Sequence, residues 1–145
     1  MILLDANLLI YAYNTSLPLH DRAQAWLQGV LSRPYPVRLA WVTLLAFLRL
    51  STNPRAFEHP LSIAEGVAVV SDILGRPMVA ILEPGEQHWS ILSDLLSRVQ
   101  ARSALVTDAH LAALAIEHGA TLLTSDRDFI RFPGLRFQNP LEIGG

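Results

Sequence analysis

A chain of 145 residues, 51% hydrophobic and 17% charged, has the length of one folded domain and is too apolar to be disordered. It contains no cysteine and no lysine, all 11 basic residues being arginine. That excludes disulfides, thiol nucleophiles, Cys-type zinc sites, a Walker A lysine and Schiff-base chemistry. The longest stretch without formal charge, residues 6–20, is broken by Asn7, Asn14 and Pro18, and no basic segment precedes an apolar one at the start. No membrane span or secretory signal is therefore expected, and the predicted location is cytoplasmic.

Residues 1–5 form an apolar run that ends in a carboxylate, Asp5, and read as a buried strand. Asn7 reads as the cap of a helix that follows. A helix is predicted over 20–32, where Ala23, Trp26, Leu27, Val30 and Leu31 make one apolar stripe. Residues 37–40 are a second strand, and 43–52 an apolar helix stopped by Asn53-Pro54. Ser62 and Glu65 form a capping-box pattern that opens a helix running to Gly75. Residues 78–82 are a third strand. The helix over 88–101 has the stripe Trp89, Leu92, Leu95, Leu96 and Val99. Thr107 or Asp108 starts the next helix, which ends at His118-Gly119; strands follow over 120–124 and 136–138. Alternation of this kind gives a single α/β domain, residues 1–145, with a parallel sheet and helices on both faces.

In such sheets, ligands bind beyond the carboxyl ends of the strands. Four of the 13 acidic residues stand there: Asp5 after the first strand, Asp126 and Asp128 after the fourth, and Asp108 opening the helix before it. Adjacent parallel strands bring such ends to about 5 Å despite the long sequence separation. Clustered carboxylates repel unless a cation sits among them, and hard oxygen donors suit Mg²⁺ or Mn²⁺. Setting these four charges aside turns the net −2 into +2, so overall charge does not exclude a nucleic acid. Structural readings stand beside the functional one. Asp108 fits a first-turn acid on a helix dipole, and Asp126 with Asp128 fits an Asx-turn. Asp5, ending an apolar strand, has the least structural reason to be there. Arg49 and Arg127 are the candidate phosphate contacts. His110 and Glu117 read as a solvated helix edge, and His20, His59, His88 and His118 receive no role.

Four segments carry a family resemblance: Leu4-Asp-Ala-Asn-Leu-Leu-Ile-Tyr11, Phe47-Leu-Arg-Leu-Ser-Thr-Asn-Pro-Arg55, Thr107-Asp-Ala-His-Leu-Ala-Ala-Leu-Ala115 and Leu123-Thr-Ser-Asp-Arg-Asp-Phe129. In this order they resemble PIN-domain proteins, in particular the VapC toxins of type II toxin–antitoxin systems. The resemblance implies a three-layer domain with sheet order 3-2-1-4-5. It implies an Mg²⁺- or Mn²⁺-dependent endoribonuclease cutting tRNA or rRNA, a homodimer, and inhibition by a VapB-type antitoxin. By position it assigns Asp5, Asp108 and Asp126 to catalysis, these three with Asp128 to the metal, and Thr124 or Ser125 to the small hydroxyl residue beside them, an RNA contact. One position departs: Ala46 stands where the family usually carries glutamate, and no acid between residues 39 and 55 replaces it. The metal site then has one ligand fewer, and a rival expectation is a catalytically weakened module that binds RNA or a partner. An aspartyl-phosphate phosphatase, suggested by Asp126-Arg127-Asp128, is set aside for want of any lysine.

Overall fold

The computed structural model describes residues 1–142; residues 143–145, the tail of the expected domain, lie outside the described residues. Five strands, β1 (Ile2–Leu4), β2 (Val37–Leu39), β3 (Val79–Ile81), β4 (Thr121–Leu123) and β5 (Phe137–Gln138), form one sheet in the order β3-β2-β1-β4-β5. Every pairing is parallel, with Leu3 opposite Arg38 on one side and Leu122 on the other. Six helices cover it: α1 (Ala6–Tyr13), α2 (His20–Leu31), α3 (Trp41–Ser51), α4 (Ile63–Leu74), α5 (His88–Val99) and α6 (Ala104–His118). A 3₁₀ helix, Arg127–Arg131, follows β4.

The period of two in β1 creates the layers. Ile2 and Leu4 enter a core with α1, α2, α3 and α4, built around Leu8, Leu27, Phe47 and Ile73. Leu3 points the other way, into a second core with α5 and α6 built around Leu95, Ala112, Leu122 and Phe129. The α4 capping box is present: Ser62 Oγ accepts from the Glu65 N–H at 3.0 Å, and Glu65 Oε1 accepts from the Ser62 N–H at 2.9 Å. Gly119 ends α6 with φ of +67°, a left-handed conformation glycine adopts without a Cβ penalty.

Three expectations at element ends are corrected. The helix after β1 begins at Ala6 and is capped by Asp5, not Asn7: Asp5 is extended and its Oδ1 accepts the Ala6 N–H at 2.7 Å. Asp5 thus has a structural task as well. The last long helix begins at Ala104, so Asp108 lies in its second turn and is no first-turn acid. Ser103, with φ of +54°, turns the chain into α6; the Thr107-Asp108 pair looked like the start because both residues are common caps. Trp89 does not join the α5 stripe and is 69% exposed, while its neighbour His88 is buried.

Candidate active site

The sheet register builds the site. Leu4 pairs with Leu123, and the Asp5 N–H continues the ladder to the Leu123 carbonyl at 2.9 Å. This brings Asp5 beside Thr124. Thr124 is 1% exposed, and its hydroxyl donates to Asp5 Oδ2 at 2.7 Å. Thr124 Oγ1 itself accepts from Asn7 Nδ2 at 3.3 Å and from the Asp126 N–H at 3.0 Å. A hydroxyl has one proton and two lone pairs, so all its capacity is used and its proton is directed at Asp5. Asn7 also accepts from the Ser125 N–H at 3.4 Å, tying α1 to the end of β4.

Asp5 and Asp108 line one cleft of about 560 Å³, together with Thr43, Leu45, Ala46 and Arg49. Burial raises the Asp5 carboxyl above its ordinary value; the hydrogen bonds from Thr124 and Ala6 oppose this, and the Asp126 charge adds to it. Burial pushes the Asp108 carboxyl up to about 6, reinforced by the charges of Asp5, Asp126 and Asp128. Among the described residues, Asp108 has no hydrogen bond or ion pair to offset them.

Asp126 lines a neighbouring cleft, and its Oδ1 accepts from the Asp128 N–H at 2.9 Å, the Asx-turn that the spacing suggested. Asp128 is exposed at the start of the 3₁₀ helix. Arg49 lines the Asp5 cleft, whereas Arg127 stands in the neighbouring one, 91% exposed and 3.8 Å from Glu142. Thr124, expected as an RNA contact, is 1% exposed, and its hydroxyl is fully used in hydrogen bonds that hold Asp5, while the residue lines the neighbouring cleft. The Ser125 hydroxyl, 3.4 Å from the Tyr11 hydroxyl, is half-buried.

Among the described residues no group of three or more acidic or histidine side chains stands at metal-holding spacing. The donor chemistry of the Asp5–Asp108 pair nevertheless fits a hard divalent cation: two carboxylates in one cleft, neither bridged to an arginine. Thr43 adds a second sign, being 3% exposed on the wall of this cleft with its hydroxyl unpartnered. A buried hydroxyl left unpaired costs about 1–3 kcal/mol, and native sites rarely leave one without a water or ligand.

Asn7 and Thr43 were missed as site residues. The Asp-x-Asn spacing at residues 5–7 was a usable signal for the first; nothing in the sequence marked the second. The expected solvated edge of α6 is also corrected. Glu117 accepts from the Gly85 and Gln87 N–H groups at 2.8 and 2.9 Å, and His110 Nδ1 lies 3.0 Å from buried His88 Nε2. These side chains hold the loop before α5 against α6.

A five-stranded parallel sheet in this order, with carboxylates gathered at its carboxyl edge, defines a PIN-type domain. The family model described as PIN domain matches residues 2–135. Ribonuclease VapC37 of Mycobacterium tuberculosis is 43% identical over 140 residues, covering 97% of each chain. Ribonuclease VapC33 of the same organism is 40% identical over 141 residues, covering 97% of this chain and 99% of the relative. Among solved structures, VapBC2 from Rickettsia felis bound to a promoter DNA fragment superposes with a TM-score of 0.68 at 20% identity, over 96% of this chain and 98% of that one. The protein belongs to the PIN-domain family and, within it, to the VapC ribonucleases.

Proposed function

We propose that this protein is a cytoplasmic endoribonuclease toxin that uses Mg²⁺ or Mn²⁺, works as a homodimer and is neutralised by a VapB-type antitoxin. The names of the relatives at 43% and 40% identity support RNA cleavage, and the VapBC make-up of the R. felis complex supports a partner of the VapB kind. Among the described residues no helix is long and apolar enough to cross a membrane. One observation carries the reading: Asp108 shares a cleft with Asp5, is repelled by three other carboxylates and, among the described residues, is paired with no arginine or histidine.

Asp5 and Asp108 are the residues that would hold the cation, with Asp126 adding negative field from the next loop. The bound cation would supply an activated water and would offset charge on the phosphoryl group. Thr124 and the Ala6 N–H fix the Asp5 carboxylate so that it needs no reorganisation when a ligand arrives. Arg49, on the cleft wall, would hold a flanking phosphate. Asp126, or Asp128 beside it, would orient the attacking water. Incubation of the purified protein with tRNA and rRNA tests this: cut products are expected with Mn²⁺ and none with EDTA. Equal products in both contradict it.

A second reading, an RNA- or partner-binding module with weakened catalysis, is favoured by Ala46. This residue lines the cleft where a glutamate would face Asp5 and Asp108. Calorimetry with Mn²⁺ separates the two, since the weakened module takes up no metal.

A further inference from the structure

The clefts on either side of the β4 end differ in chemistry. The Asp5 cleft is walled by Leu45, Ala46 and the carboxylate pair. The neighbouring one, about 450 Å³, is lined by Asp126 and Glu142, by Ser125, Arg127, Gln138 and Asn139, and by Phe137. The two are joined through Thr124, which lines the second cleft while its hydroxyl holds Asp5 of the first. We propose that this second cleft is a nucleobase subsite, which takes the base next to the phosphate bound over Asp5 and Asp108 and prefers bases bearing an exocyclic amine. It rests on the ribonuclease reading for its place along a substrate, but its own chemistry is independent of cleavage.

Three observations support it. First, the cleft holds two carboxylates, Asp126 and Glu142, against one guanidinium, Arg127. That balance disfavours a phosphate and favours a neutral ligand that donates hydrogen bonds. A carboxylate accepts from the cytosine amine in the same way that it reads that base in DNA. Second, amide capacity is spare. Asn139 Oδ1 is fixed by the Leu141 N–H at 3.0 Å, leaving its NH₂ to donate, and Gln138 is exposed with no side-chain hydrogen bond among the described residues. Third, half-buried Phe137 adds an apolar residue to the wall, and the planar Arg127 guanidinium makes, among the described residues, only a long 3.8 Å contact with Glu142. Single-stranded RNA is read by such means: a splayed base lies against an aromatic or arginine plane while polar side chains bond its edge.

The test uses the full chain, ¹⁵N-labelled, titrated with the dinucleotides CpC, ApA and UpU. CpC and ApA are expected to shift the amides of Ser125, Arg127, Gln138 and Asn139. UpU, whose bases lack an amine, is expected to bind at least about fivefold more weakly at these positions, by the size of one base-edge contact. Glu142→Gln is expected to bring that ratio to about twofold, and Asn139→Ala to weaken all three. A parallel digest of an RNA pool with randomised positions reads the base beside each cut; the wild type should disfavour uridine there and Glu142→Gln should lose the bias. If the wild type cuts nothing but the dinucleotides shift these amides, the nuclease reading fails and the subsite stands. If it cuts without base bias and these amides do not move, the subsite is overturned and the nuclease reading stands. Shifts at these residues with an antitoxin peptide but with none of the dinucleotides likewise overturn it, making the cleft a protein-docking site.

Discussion

The Thr124 hydroxyl donates to the Asp5 carboxylate at 2.7 Å, joining residues 119 positions apart in sequence. This bond makes the end of β4 a support for the residue at the end of β1. The Thr124 hydroxyl oxygen in turn accepts from the Asn7 side-chain amide and from the Asp126 N–H.

Thr124→Val keeps the shape and removes the hydroxyl. It leaves two half-buried donors, Asn7 Nδ2 and the Asp126 N–H, without their acceptor, at a cost of about 1–3 kcal/mol. It also frees Asp5 to turn, and loss of an outer-shell partner typically lowers metal affinity about 10–100-fold. Thr124→Ser retains the bonds and is expected to stay within a fewfold of wild type. Mn²⁺ calorimetry beside urea denaturation reads both effects. Equal losses in Val and Ser would show that the methyl group, not the hydroxyl, matters.

Asp108 gives the metal-free protein a pH signature. Its carboxyl is raised from 3.8 to about 6, so the folded state holds the proton more tightly than the unfolded chain. The stabilisation from protonation is full below about 3.8 and is lost as the pH rises through about 6. Above that, the carboxylate is a net cost of about 1–2 kcal/mol, discounted because the group is partly open to water. Asp108→Asn is therefore expected to raise Tm by several degrees at pH 7.5 in EDTA and to give no gain at pH 3.5. Thermal melts at the two pH values read this; a gain independent of pH would speak against charge repulsion as the cause.

Ala46→Glu returns a carboxylate to the wall of the cleft. The expected outcome is tighter Mn²⁺ binding, by about tenfold or more, with lower stability in EDTA because a further like charge joins the group. Calorimetry and melts with and without metal check it. Unchanged affinity would mean that residue 46 does not reach the cation.

Much of this was legible in the sequence. Short, mainly apolar runs alternating with helical stripes pointed to the parallel sheet, in which Ile2, Leu3 and Leu4 take apolar cover on both faces. The carboxyl-edge rule then pointed to Asp5, Asp108 and Asp126. The partition into two clefts was not legible, because which side of β4 a loop side chain faces depends on the Asx-turn and on Thr124. Trp89 matched the α5 stripe by spacing, yet in the first turn of the helix it is His88 that is buried and Trp89 that faces outward. Glu117 read as solvated because its partners are backbone N–H groups, which no sequence pattern displays.

Ser103 holds φ of +54° and ψ of −131°, a conformation that only glycine adopts without strain. Ser103→Gly is expected to stabilise the fold by about 0.5–1 kcal/mol, after the larger entropy that glycine loses on folding. Urea denaturation checks this, and destabilisation would mean that the serine side chain makes a compensating contact.

The central claim is that Asp5, with Asp108, holds the divalent cation on which RNA cleavage depends. Cleavage of a tRNA and rRNA mixture in Mn²⁺ by wild type and by Asp5→Asn, with matching circular dichroism spectra, tests it most directly. The account predicts intact secondary structure and a loss of at least about 100-fold in cleavage rate, of the size seen when an electrostatic group at a reacting centre is removed. Undiminished cutting by the folded Asp5→Asn protein would contradict it.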